Sequence, residues 1–235
     1  MITTVVLYSS ETPLIATKWM VVLRSSATTD RADLIDLALS LLDVDEITRL
    51  VLDERVGYPQ LEVADSPDIT GLIHAYVPEG TGMPAEVLDQ LTAGGADAYL
   101  MTESITNFAG EAHTGGEGEN DGLWRLGFLR RRQDVSRERF IEVWRKEHSQ
   151  MVGVHHPGTY QLRQAAVSED LTPDAVQFDG IFQAYYPTLL DFRNRRFASD
   201  ASIPLVMADL DRFVDQSLTE LLFCHRTTLR GATPA

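Results

Sequence analysis

The feature that most constrains this chain is that parts of it are written twice. "GLIHAYVP" at 71–78 returns as "GIFQAYYP" at 180–187, with Gly71, Ala75, Tyr76 and Pro78 recurring as Gly180, Ala184, Tyr185 and Pro187. Upstream, "LRSSATTDRADLIDL" at 23–37 aligns with "LRRRQDVSRERFIEV" at 129–143 through Leu23, Arg24, Arg31 and Ile35, which recur as Leu129, Arg130, Arg137 and Ile141. A third, weaker match sets "LMTESITNF" (100–108) against "LFCHRTTLR" (222–230). The offsets of the first two are 180 − 71 = 109 and 130 − 24 = 106, and all three matches keep their order, so loop insertions account for the drift. A repeat fixes the structural unit before any element is assigned.

Between the copies lies "AGEAHTGGEGENDG", residues 109–122, rich in Gly and acid and without apolar periodicity. Such a segment cannot offset its ordering entropy by burial and reads as a linker. The expected organisation is a diverged repeat at 1–108, the acidic Gly-rich linker at 109–122, and a second repeat at 123–235.

Each copy parses as β-α-β-β-α-β, the ferredoxin-like order. In the second, a strand at 123–131 precedes a helix from 137, with Ser136 as its N-cap candidate. Strands follow at 160–167 and 178–186, then helical regions at 188–197 and 205–216, and a closing strand, "TELLFCHRTTL". The first copy supplies corresponding pieces at 17–24, 31–43, 47–58, 69–77, 84–92 and 98–107, with "TTVVLYSS" as an additional edge strand. A four-stranded sheet with helices on one side leaves its other face bare. Two such sheets on one chain can cover each other. The expected class is α+β: two ferredoxin-like repeats packed as an intramolecular dimeric α/β barrel, whose interior can enclose a small ligand.

Charge and cysteine content narrow the function. The formal net charge is −15, which disfavours a nucleic-acid partner, since that binding rests on Lys and Arg neutralising phosphates. The basic cluster Arg130, Arg131, Arg132, Arg137 and Arg139 is balanced by Asp134, Glu138 and Glu142 and reads as a solvated face. A single cysteine, Cys224, excludes an intramolecular disulfide and a cysteine-cluster metal site. No run reaches the length of a membrane span, and "MITTVVLYSSETPL" has no basic leader, so a cytoplasmic location without membrane contact is expected.

Candidate site residues come from face analysis. Projected at about 100° per residue from Phe140, Trp144 falls near 40° and His148 near 80°, on one face with Ile141. His148 is thus expected to face inward, either as a satisfied core histidine or as a general acid or base. At the offset of 106 it aligns with Leu42, and Trp144 with Ala38, so the asymmetry points to one site, in the second copy. On the strand 178–186, Asp179, Ile181, Gln183 and Tyr185 share a face; in the first copy Thr70, Leu72, His74 and Tyr76 do. A buried Asp179 would need a partner, for which His148, Arg163 or a backbone amide could serve; its bland reading is a turn carboxylate. For Tyr160 and Tyr185 the bland reading is barrel packing. His155 and His156 precede Pro157 in an expected loop and point apart, so no metal site is expected there. GxxxxGK[ST], GxGxxG after a strand, HExxH and GxSxG do not occur, and no nucleotide, flavin or zinc cofactor is expected.

"FLRRRQDVSRERFIEVWRKEHSQMV", "TYQLRQ", "FDGIFQAYYPTLLDF" and "ADLDRFVD" together resemble the EthD family of the dimeric α/β barrel superfamily. The resemblance covers roughly 123–230, and the first half lacks the W-R-x-x-H run. It implies an apolar barrel pocket working without a nucleotide, with His148 as the motif histidine, Tyr160 as the strand tyrosine and Asp179 as the F-D-G acid. It also implies relatives that are decarboxylases, dehydratases, cofactor-free monooxygenases or haem proteins. The expected function is a cofactor-independent lyase, dehydratase or decarboxylase acting on an apolar aromatic or polyketide-like small molecule. His148 would move the proton, Asp179 would orient it, and Tyr160, Gln183 and Tyr185 would hold substrate oxygens. Trp144, Phe128 and Trp124 would line the apolar wall, with His74 and Tyr76 on the facing strand. The alternatives are cofactor-free oxygenation of an electron-rich phenol, a non-catalytic small-molecule carrier, and haem ligation by His148. A homodimer of such pseudo-dimers is open.

Overall fold

The computed structural model describes residues 14–24, 31–57, 68–108 and 122–231. The expected edge strand at 3–10 and nearly all of the linker lie outside the described residues. Eight strands form: β1 (Leu14–Arg24), β2 (Arg49–Arg55), β3 (Ile69–Val77), β4 (Asp97–Asn107), β5 (Leu123–Leu129), β6 (Gln161–Asp170), β7 (Gly180–Tyr186) and β8 (Glu220–Arg230). They close a barrel in the order β1-β3-β2-β8-β5-β7-β6-β4, with β4 returning to β1, and every pairing is antiparallel. Each half contributes one four-stranded sheet, β4-β1-β3-β2 and β8-β5-β7-β6. Two seams join them. At one, Asp53 of β2 sits opposite Arg226 of β8; at the other, Glu103 of β4 sits opposite Ala165 of β6.

Helices α1 (Arg31–Ser40) and α2 (Ala85–Ala93) belong to the first half. The second half has α3 (Arg137–Glu142), a π-helical segment (Val143–His148), α4 (Ser149–His155), α5 (Leu189–Arg195) and α6 (Ser202–Leu210). The first three of these run on as one rod. Ser136 caps it as expected, its side chain accepting from the Arg139 backbone N–H at 3.2 Å.

Strand alternation sends successive side chains to opposite faces. On β1, Trp19, Val21 and Leu23 point outward into a core with Leu34, Ala38 and Leu91 of the helical layer, while Met20 and Val22 point into the barrel. Both faces are therefore covered, and the run "WMVVL" is buried throughout. Close helix approach needs a gap in the sheet. Gly71 supplies it under α1, where a Cβ would lie 2.3 Å from the Leu34 side chain; Gly180 supplies it under the π-helical segment, where a Cβ would lie 2.4 Å from the Trp144 ring. An eight-stranded interior is just wide enough for side chains to fill. Here it divides lengthwise. One end is apolar, with Met20, Leu72, Met101, Phe128, Ile181 and Leu222, closed by Phe178, whose ring lies 4.8 Å from that of Phe128. The other end is charged.

Candidate functional site

The lumen collects six of the residues singled out in the sequence, Phe128 at its apolar end and the others toward the charged one. His74, Tyr76, Gln183, Tyr185, Trp124 and Phe128 all face the interior and are buried, and Tyr160 packs against the same core. His74 Nε2 donates to Asp53 Oδ2 at 2.8 Å, and its Nδ1 accepts from the Lys18 ammonium at 3.1 Å. Lys18 also contacts Glu103, which accepts from the Tyr76 hydroxyl at 2.8 Å. The Gln183 amide spans the two carboxylates' territories: it donates to Glu103 at 3.0 Å and accepts from Arg226, itself bound to Asp53. Arg163 donates to the Tyr76 hydroxyl at 2.9 Å and to Gln161 at 2.7 Å.

These bonds set the charges. Burial pushes the Asp53 carboxyl up, but Arg226 and His74 overcome it and hold it well below the usual carboxylate range. Burial acts likewise on Glu103, and Lys18 and Arg163 win there. Burial, reinforced by the neighbouring Lys18 charge, pushes His74 down to about 3, so its ring is neutral. Lys18, Asp53, Glu103 and Arg226 came from positions that alternation makes inward but that no motif marked. The network occupies the space in which a ligand was expected, and Arg49, buried over the Tyr76 ring at 5.1 Å, has no acceptor for its Nε or Nη1.

His148 lies elsewhere. The helical rod sits on the outer face of the second sheet, packing Phe140, Val143 and Trp144 against Leu129, Ala166 and Phe213. A helix on that face cannot send a side chain into the lumen, which corrects the expectation that His148 looks into the hollow between the sheets. Its carboxylate partner also differs. His148 Nδ1 lies 2.8 Å from Asp209 Oδ2 of α6, and its ring stands edge-on to Phe213 at 5.5 Å. Asp179 instead accepts from Arg131, from the backbone N–H at 2.8 Å and from Nε at 3.0 Å, in a surface cleft of about 400 Å³ floored by Phe178. The expected His148–Asp179 pairing is therefore replaced by two separate pairs. A 100° projection assumes regular α-helix throughout. The π-helical segment, whose bonds run i→i+5, swings His148 away from the sheet and toward α6.

The His148–Asp209 pair is ordered by its surroundings. Asp209 Oδ1 accepts from Arg212 at 2.7 Å, and Arg212 also pairs with Glu147. The hydrogen bond from His148, with Arg212 beside it, holds the Asp209 carboxyl below its ordinary value. A carboxylate oxygen only accepts, so His148 Nδ1 carries the hydrogen; in a neutral ring Nε2 then has the lone pair. Nε2 makes no hydrogen bond among the described residues. An orienting carboxylate, a fixed tautomer and an open Nε2 are what a general base requires.

Beside this pair, α4 packs on the outer face of β5 and β7 through Val152, Leu123 and Ala184. Arg125 and Phe182, in the middle of the sheet, are only half-buried although their neighbours on the same strands are covered. His155 and His156 close α4 rather than lying in a loop, and they do point apart: His155 Nδ1 meets Ser202 Oγ at 3.0 Å and His156 Nδ1 donates to the Arg196 carbonyl at 2.5 Å. Burial pushes His156 down to about 4, with Arg125 and His148 among the charges that add to it. Among the described residues no group of three or more metal-ligating side chains comes together, and no helix is long and apolar enough to cross a membrane.

Fold and site place the molecule in the class of dimeric α/β barrels, α+β proteins with a closed antiparallel barrel and helices outside it. Within that class, residues 132–217 match the EthD domain. The matched segment contains both His148 and Asp209. Among solved structures, an anthrone oxidase-like protein superposes with a TM-score of 0.59 at 8% identity, covering 91% of this chain and 93% of its own. A protein of Fusobacterium nucleatum assigned as a monooxygenase gives 0.54 at 7% identity, covering 95% and 99%. One of Lactobacillus acidophilus NCFM, assigned likewise, gives 0.52 at 12%, covering 93% and 98%. At these identities the likeness concerns the fold alone. No curated protein matches the sequence.

Proposed function

We propose that this chain is an enzyme of the EthD type that catalyses proton-transfer chemistry, a dehydration or decarboxylation, on an apolar aromatic or polyketide-like small molecule, without a nucleotide cofactor. The observation that carries the reading is the His148–Asp209 pair: Nδ1 held by a buried carboxylate at 2.8 Å, Nε2 without a hydrogen bond among the described residues, at the end of a π-helical turn. Such turns recur at functional sites because they displace one side chain from the regular helical pattern. His148 is the base and Asp209 its positioning residue. The two halves are read as copies of one module, joined through 109–122, of which the second kept the reactive histidine. The lumen residues His74, Tyr76, Gln183 and Tyr185 are then the scaffold that locks the two sheets together.

The test is turnover of a panel of aryl β-keto acids and β-hydroxy ketones, read by mass as loss of carbon dioxide or water. General acid–base catalysis supplies about 10²–10⁴-fold, so His148→Ala should cost that much and Asp209→Asn a large part of it. A loss under about threefold in folded His148→Ala, against the same scale, refutes the role. A second reading, oxygenation of an electron-rich phenol through the same base, draws on the names carried by the structural neighbours. It predicts oxygen uptake, and turnover at full speed without oxygen excludes it.

A further inference from the structure

We propose that the charged end of the lumen binds a halide ion, held by the Arg49 guanidinium and shared between the two halves of the barrel. The site is separate from the His148–Asp209 pair, which lies outside the sheet, and goes beyond the reading of His148 as the base.

The lumen is out of balance in charge. Its buried charged residues are Lys18, Arg49, Arg163 and Arg226 against Asp53 and Glu103, four cations to two carboxylates, with His74 neutral. Both carboxylates are already occupied. Asp53 accepts from Arg226 on Oδ1 at 2.6 Å, and from Arg226 and His74 on Oδ2. Glu103 accepts from Lys18 and Gln183 on Oε1, and from Tyr76 and Arg163 on Oε2. Arg49 is left over. Its Nε and Nη1 are buried and meet no acceptor, and no carboxylate among the described residues pairs with it. Withdrawing an unpaired guanidinium from water is costly, and leaving its donors unmet adds to the cost.

Register points Arg49 inward. Strand pairing sets Lys18, Tyr76 and Arg49 in one row across β1, β3 and β2, and alternation puts Arg49 on the same face as Asp53. The Lys18 ammonium lies 5.2 Å and the Arg49 guanidinium 5.1 Å from the centre of the Tyr76 ring, while Arg163 donates to that residue's hydroxyl. Burial pushes Arg49 down to about 10, and the Arg163 and Arg226 charges add to the lowering, so Arg49 is still charged at neutral pH. From the second half, Trp124 lies under Arg226 at 3.6 Å and Arg163 at 5.6 Å, and its buried indole Nε1 also has no acceptor. Among the described residues, every unmet buried polar atom at this end is therefore an N–H donor. Arg125, Arg145 and Arg196 leave an Nε unmet too, but they lie outside the barrel and are only partly buried, where water can serve them.

Unmet donors beside excess positive charge call for an anion. Its size is limited, because an eight-stranded interior is just wide enough for side chains to fill. Lys18, Asp53, His74, Glu103 and Gln183 keep no surface open to water, whereas Arg49 and Tyr76 keep 4% each and Arg163 and Arg226 keep 2% each. The surface still open lies with the arginines and suits an occupant of about the size of one water molecule. A halide has that size, accepts N–H donors from any direction and leaves the existing pairs intact. Arg49 comes from β2 and Trp124 from β5, so the ion ties the halves together near the seam where Asp53 and Arg226 meet.

The test is thermal melting of the whole protein, desalted into sodium gluconate, as chloride replaces gluconate at constant ionic strength. The parent's melting temperature should rise by at least about 2 °C and then level off, as a saturable site requires. Arg49→Met should lose that rise, and in gluconate it should melt at or above the parent, since it removes an unpaired buried charge. His148→Ala should keep the rise in full, so this site and the base stand or fall separately. Bromide supplies a readout that needs no variant to fold: crystals of the parent grown in sodium bromide should give an anomalous scattering peak beside the Arg49 guanidinium. No response to chloride, a rise that never levels off, a rise that Arg49→Met retains, a rise with sulfate but not chloride, or bromide crystals without a peak at Arg49 would each overturn the proposal.

Discussion

His74 offers a direct probe of the lumen network through pH. Its Nδ1 is occupied by a Lys18 hydrogen and its Nε2–H by Asp53, so a second proton can enter only by displacing the ammonium. Burial and Lys18 lower the ring to about 3, against about 6.5 in an unfolded chain. Because the folded value is the lower one, stability is complete above pH ~6.5 and declines as the pH falls toward ~3, where the unfolded chain binds a proton that the folded one does not. The slope is about 1.4 kcal/mol per pH unit, so His74 alone removes about 2 kcal/mol between pH 7 and 5. Asp53 and Glu103 act with the same sign, but only once the pH drops below about 4–5, where unfolded carboxyls begin to protonate. His156, pushed down to about 4 by burial, overlaps the window, so the informative quantity is a difference between proteins. Urea unfolding of the parent and of His74→Gln at pH 7, 6 and 5 should show the parent losing about 2 kcal/mol more over that range. Equal losses, within about 0.5 kcal/mol, would refute the neutral, doubly bonded imidazole.

Three further outcomes are expected. Glu103→Gln strands the Lys18 charge in the lumen and should cost about 3–5 kcal/mol in denaturant unfolding, with part recovered when Lys18→Met is added. Gly180→Ala drives a methyl into the Trp144 ring and should destabilise by about 1–3 kcal/mol, read as a lower melting temperature. Asp179→Asn breaks a half-exposed pair with Arg131 and should cost no more than about 1 kcal/mol, leaving any turnover that depends on His148 within a few-fold of the parent.

The strands and their inward faces were legible because strand period and burial agree. β3 falls at Ile69–Val77, the range the alternation marks, and His74, Tyr76, Gln183 and Tyr185 face the lumen together. The partners that consume their hydrogen bonds were not legible. Asp53 and Arg226 meet across 173 positions, at a seam between sheets that no local pattern describes. The lumen consequently read as an apolar pocket where one end holds a buried ionic network. His148 was found for its chemistry and placed on the wrong side of its sheet, because the π-helical turn breaks the regular projection. Asp209 lies 61 positions away and is one acid among 35, so only the packing of α6 against the rod singles it out.

The account's central claim is that His148 directs an Nδ1–H to Asp209, leaving Nε2 as the nitrogen that takes a proton. Nitrogen-detected magnetic resonance of the histidine rings at alkaline pH, with His148→Gln to assign the signal, reads both nitrogens directly. The account predicts the Nδ1–H form for His148, in contrast to the Nε2–H form of His74. A His148 ring in the Nε2–H form would contradict it.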